Sequence, residues 1–182
     1  MICPCFIASG ADAANFMSLE KKCLPIRMIL SDVDGVMTDG TIEIDHLGNE
    51  SKRFSTLDGF GIRAWRKVGY QFGVITGRRS ECVQHRAKDL GIDIVRIGTF
   101  EKLQAVEKIA AEHNLSLEEI AFIGDDLPDL PAIRAVGLGV TVPDAPDELR
   151  LAADYTTKRR GGYGAVRDLI EHTLRLQGKW NP

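Results

Sequence analysis

The chain has no apolar run approaching the roughly 20 residues that a membrane-spanning helix requires, which argues against an integral helical membrane protein. Its opening stretch carries no basic cluster ahead of the short apolar part, so a secretory leader is not expected. Cysteine is too sparse for a disulfide framework. Cys3 and Cys5 flank a proline, Cys23 and Cys82 stand alone, and the CxC pair lacks the partners of a zinc site. A reduced, cytoplasmic setting is therefore expected. Charge of one sign is also lacking: 23 Lys and Arg against 26 Asp and Glu leave a net charge of −3. That balance disfavours a general nucleic-acid binder. No internal repeat, low-complexity tract or linker divides the chain, and 182 residues suffice for one core without staples.

What is present is alternation. The stretches "IRMIL", "QFGVIT", "IDIVRI", "EIAFIG" and "GLGVTV" are short, apolar, mostly β-branched and bounded by Gly or Asp, so they predict buried strands. "ADYTT" is a weaker sixth. Between them, Ile62, Trp65 and Val68, then Val83, Ala87 and Leu90, then Leu103, Val106 and Ile109 mark helix faces. Gly69 and Gly91 stand where C-terminal caps belong. A last helix is expected over Ala165 to Gln177. Strand–helix alternation implies parallel strands joined by right-handed crossovers, hence an α/β, Rossmann-like three-layer sandwich with a mainly parallel central sheet. "GTIEIDHLGNESKRF" breaks the rhythm and predicts a projecting β-hairpin. Residues 1–25 are expected to be a poorly ordered extension, and 26–182 a single domain.

The first strand runs into "DVDGV", two carboxylates separated by one valine. Crowded like charges at a buried strand end need compensation. A calcium loop from Asp32 to Glu43 fails, because Val36 and Met37 stand where that loop needs an oxygen ligand and a glycine. A plain acidic turn stays open on this stretch alone. Phosphoryl chemistry is the third reading, since ligands gather beyond the carboxyl ends of parallel strands. Beyond the second strand stand Thr76, Gly77 and Arg78; beyond the third, Lys102; beyond the fourth, Asp125, Asp126 and Asp129. Lys102 sits near a helix start, where a cation is unfavourable by up to ~1 kcal/mol, so a solvated lysine remains its bland alternative. Hard carboxylate oxygens suit magnesium. The recurrence of such residues after four strands, in order, favours the third reading.

These residues resemble the four motifs of the haloacid dehalogenase superfamily of phosphohydrolases. The resemblance spans residues 26 to 178, with no insertion long enough for a cap domain. "DGFGIR", "ITGR", "GDDLPDL" and "GGYGAVRDL" are similar to the capless 3-deoxy-D-manno-octulosonate 8-phosphate phosphatases of lipopolysaccharide sugar synthesis. The resemblance implies Asp32 as nucleophile, Asp34 as acid and base, and Thr76, Gly77 and Lys102 around the phosphoryl oxygens. It implies Mg2+ on Asp32, Asp34 (through its carbonyl) and Asp125. It places the sugar acid among Ser55, Thr56, Leu57, Asp58, Gly59, Arg63, Arg78 and Arg86, where arginine suits a carboxylate. Arg63 and Arg86 could equally be a solvated helix face, and Lys158-Arg159-Arg160 a basic surface. A homotetramer with active sites near subunit interfaces is also implied. Leu57 and Tyr163 stand where that family has arginines, which opens a nine-carbon deoxynonulosonate 9-phosphate as an alternative substrate. A receiver-type signalling module and a catalytically idle homologue are the competing classes. Asp34 and the intact motifs disfavour them.

Overall fold

The computed structural model describes residues 19–181. Six strands form one sheet in the order β5-β4-β1-β6-β7-β8, every neighbouring pair parallel. They are β1 (Met28–Ser31), β4 (Gln71–Thr76), β5 (Ile94–Ile97), β6 (Ile120–Gly124), β7 (Leu138–Thr141) and β8 (Tyr155–Thr156). The runs that read as unbroken apolar stretches are buried residue after residue in β1, β6 and β7. Continuous burial requires cover on both faces, which the crossovers supply. Helices α1 (Thr56–Lys67), α2 (Glu81–Leu90) and α6 (Ala165–Leu176) pack together, as do α3 (Lys102–Glu112), α4 (Leu130–Ala135) and α5 (Asp147–Ala152). Along the chain α1 precedes β4, α2 follows β4 and α6 follows β8, whereas α3, α4 and α5 follow β5, β6 and β7. The layers meet at a core of fully buried Trp65, Phe122, Ile29, Leu30, Ile75 and Ile123.

The hairpin is a separate two-stranded sheet, β2 (Glu43–Ile44) with β3 (Glu50–Ser51). The Asp45 carboxylate fixes its turn by accepting from the Leu47 and Asn49 amides at 2.8 and 2.9 Å. Ile44 is 60% and Leu47 74% exposed.

Two expectations are corrected. Of the segment 1–25, residues 1–18 lie outside the described residues, but residues 19–23 are helical and Cys23 is buried in the core. Gln177 ties that segment down by donating from one amide nitrogen to the Cys23 and Ile26 carbonyls at 2.8 and 2.9 Å. Helix α1 also begins earlier than its apolar face indicates. Ser55 caps it, accepting from the Leu57 amide at 3.1 Å, so the stretch after Ser55 is a helical turn rather than a loop.

Candidate active site

The carboxyl ends of β1, β4 and β6 converge because β1 lies between the other two. Asp32 continues β1, its amide donating to the Ile123 carbonyl of β6 at 2.9 Å. One Asp32 oxygen accepts from the Val33 amide at 2.6 Å, and the other faces the Lys102 ammonium at 2.9 Å. Lys102 is buried and reaches Asp129 Oδ1 at the same distance. Contact with these two acids holds its pKa above the ordinary lysine value in spite of burial. A solvated lysine is thereby excluded.

Asp129 is the residue whose role the sequence leaves open. It is buried, and its second oxygen accepts from the backbone amides of Asp125 and Asp126 at 3.1 and 3.4 Å. Asp126 in turn caps Leu127, so the two form a reciprocal capping box. Asp129 thus locks both Lys102 and the 125–126 backbone. The spacing Asp126-x-x-Asp129 carried that signal.

Asp32, Asp125 and Asp129 each offer a carboxylate oxygen within 4.8 Å of one another. Burial, reinforced by the neighbouring acids, pushes Asp125 up to about 8; burial and Asp129 push Asp32 up to about 6 against the pull of Lys102. Such a site favours a cation. Gly35 has φ +85°, and a Cβ there would lie 1.9 Å from Asp125 Oδ2, so only glycine lets the carboxylate come this close to the loop after β1. Three hard oxygens around such a gap fit magnesium. Asp129 already accepts from Lys102 and from two backbone amides.

Thr76 ends β4 buried, its hydroxyl accepting from the Arg78 amide at 3.2 Å. Gly77 lies against the exposed ring of Phe100. Arg78 is drawn to Glu50 of the hairpin at 3.0 Å. Asp34 pairs with Lys52, a residue that sequence reasoning passed over.

The residues assigned to the sugar divide. Thr56, Leu57 and Arg63 are exposed on the first turns of α1. Arg86 donates to the Ser55 carbonyl at 3.1 Å, pairs with Asp89 at 2.8 Å and lies over the Phe54 ring, so it is no freely solvated face. Phe54 is half-buried against the core. Gly59 is packed beneath Arg86. Asp58 is buried and turned towards α6, where it accepts from the Arg167 amide at 2.8 Å. Gly164 opens that helix without a side chain, so Asp58 supplies its cap from 109 residues away.

The tail before α6 closes the other side. The Gly162 amide donates to the Val36 carbonyl at 2.9 Å. A Cβ on Gly161 would lie 1.8 Å from the Gly35 oxygen, so the tail lies directly on the loop after β1. Leu57 abuts Gly164, next to Tyr163. The two positions that depart from the resemblance therefore share one surface.

A parallel α/β sheet with an acid pair, a hydroxyl, a buried lysine and further acids at its strand tips is that of a haloacid dehalogenase-type phosphohydrolase. The sequence pattern described as haloacid dehalogenase-like hydrolase matches residues 92–169. The chain is 42% identical over 159 residues to the 3-deoxy-D-manno-octulosonate 8-phosphate phosphatase of Yersinia pestis, covering 87% of this chain and 85% of that one. A HAD superfamily (subfamily III A) hydrolase structure from Legionella pneumophila superposes with a TM-score of 0.92 at 40% identity, covering 94% of each chain. The Moraxella catarrhalis 3-deoxy-D-manno-octulosonate 8-phosphate phosphatase, solved with magnesium, phosphate and KDO, gives 0.88 at 39% identity, covering 89% and 93%. The chain belongs to the 3-deoxy-D-manno-octulosonate 8-phosphate phosphatase family of the haloacid dehalogenase-like hydrolases.

Proposed function

We propose that this protein is a magnesium-dependent phosphatase that hydrolyses the 8-phosphate of 3-deoxy-D-manno-octulosonate, a step of lipopolysaccharide sugar synthesis. The observation that carries the reading is Asp32, fixed by Lys102 at 2.9 Å, with Asp125 of the adjoining strand tip beside it. Asp32 attacks phosphorus to form an aspartyl-phosphate, dividing one slow hydrolysis into two easier steps. Asp34 gives a proton to the departing sugar oxygen and then takes one from the attacking water. Thr76, the Gly77 amide and Lys102 hold the phosphoryl oxygens as their charge redistributes. Asp32, Asp125 and the Asp34 carbonyl would hold magnesium, whose positive charge would let one anion approach another.

Ser55, Thr56, Leu57, Arg63, Arg78 and Arg86 form the sugar side of the site in this reading, with Asp58 and Gly59 shaping it from beneath. The exposed Ile42, Ile44 and Leu47 of the hairpin support a homotetramer with active sites near its interfaces. No helix among the described residues is long and apolar enough to cross a membrane. A cytoplasmic enzyme fits that and the free Cys23 and Cys82. The shared surface of Leu57 and Tyr163 favours one second reading, a nine-carbon 9-phosphate substrate. Phosphate release from eight- and nine-carbon sugar acid phosphates, with and without magnesium, separates the two. Release from neither, or full activity in Asp32→Asn, overturns the proposal. A phosphoprotein lasting minutes to hours would instead mark a phospho-acceptor.

A further inference from the structure

We propose that Lys52 is a positioning residue for Asp34, holding its carboxylate so that one oxygen stays free for the leaving group. The inference rests on the phosphatase reading above. Lys52 follows β3 on the hairpin, where cations are ordinarily solvated; its neighbour Arg53 has a side chain 81% exposed. The Lys52 side chain is 0% exposed. Its ammonium contacts Asp34 Oδ1 and lies 3.3 Å from Glu50, which Arg78 reaches at 3.0 Å. Four alternating charges thus run from the loop after β1, through the hairpin, to the loop after β4.

The two Asp34 oxygens are unequal. Oδ1 is taken by Lys52, whereas Oδ2 is buried with no hydrogen-bond partner among the described residues. An unpaired buried carboxylate oxygen is costly unless a ligand completes it. The torsion that turns an aspartate carboxylate is broad, so a single fixed ion pair decides which oxygen faces the substrate. As the Asp32–phosphorus bond forms, the bond from phosphorus to the sugar oxygen breaks. Its electron pair goes to that oxygen, which takes the proton from Asp34 Oδ2. In the second step water loses a proton to Asp34, its oxygen bonds phosphorus, and the Asp32–phosphorus bond breaks. Lys52 exchanges no proton in either step. Its contribution is geometry, where small misplacements cost rate steeply.

The test compares kcat/KM, which reports through the first phosphoryl transfer, on two substrates. 3-Deoxy-D-manno-octulosonate 8-phosphate needs its leaving oxygen protonated; p-nitrophenyl phosphate does not. Lys52→Met lowers the first about 100-fold, the scale of a lost general acid, and the second less than about fivefold. Lys52→Arg recovers most of the loss. If Lys52→Met does not fold, as judged by its circular dichroism melt, Lys52→Gln carries the comparison. Equal losses on both substrates, or no loss on either, overturn the role of Lys52 while leaving the phosphatase standing. A wild type silent on both substrates overturns the phosphatase reading and this inference together.

Discussion

The two ends of the central sheet hold the same kinds of side chain in opposite circumstances. At the carboxyl ends, Asp32, Lys102 and Asp129 are packed together out of water, and Asp32 and Asp125 sit well above the usual carboxylate range. At the amino ends, Arg27 pairs with Glu119 at 3.6 Å and Arg66 with Asp93 at 3.8 Å, with the arginines and Asp93 open to solvent. The amino end also has a hollow of about 430 Å³ lined by Arg66, Tyr70, Asp93 and His113. Desolvated charge, rather than cavity size, distinguishes the end where chemistry is supported.

That contrast can be broken by substitution. Lys102→Met leaves Asp32 and Asp129 buried without their cation, and is expected to cost about 4 kcal/mol at pH 8 along with phosphatase activity. Urea unfolding at pH 8 and pH 5 checks this, with a smaller loss at pH 5, where the Asp32 and Asp125 carboxyls carry protons. Asp58 sharpens the comparison in a third place. Burial raises it from 3.8 to about 6, outweighing the Arg167 amide that it accepts from. Because the folded value lies above the unfolded one, its contribution is fully present below about pH 4 and lost as pH rises through about 6. The loss amounts to about 3 kcal/mol. Asp58→Asn keeps an acceptor for α6, so its stability is expected to fall less than that of the wild type between pH 4 and 7.

Magnesium at a hundred times its dissociation constant is expected to add about 2.7 kcal/mol to the wild type, and little to Asp125→Asn. Denaturant midpoints with and without the ion measure both. At the amino end, Arg27→Met is expected to change stability by less than about 0.5 kcal/mol. A large effect there would erase the distinction between the two ends.

The strands and the motif positions were legible because parallel strands buried on both faces leave continuous apolar runs, and the residues just beyond them mark the tips. The first turn of α1 was not, since Gly59 and Gly61 weaken a helical pattern that Ser55 and packing against α6 nevertheless impose. Asp58 reads like any residue of an acidic turn, and only the distant, side-chain-free Gly164 explains its burial. Lys52 was hidden for a similar reason. A lysine in an alternating hairpin looks solvated until the fold places Asp34 against it. The short helical stretch around Cys23 has too few turns to display a period.

The seating of Gly161 and Gly162 on the loop that follows β1 has a consequence for synthesis. Asp32 is among the earliest parts of the domain to leave the ribosome, yet the strip that braces the loop after it comes far later in the chain. A nascent chain halted before residue 161 would carry Asp32 and Asp34 on an unbraced loop.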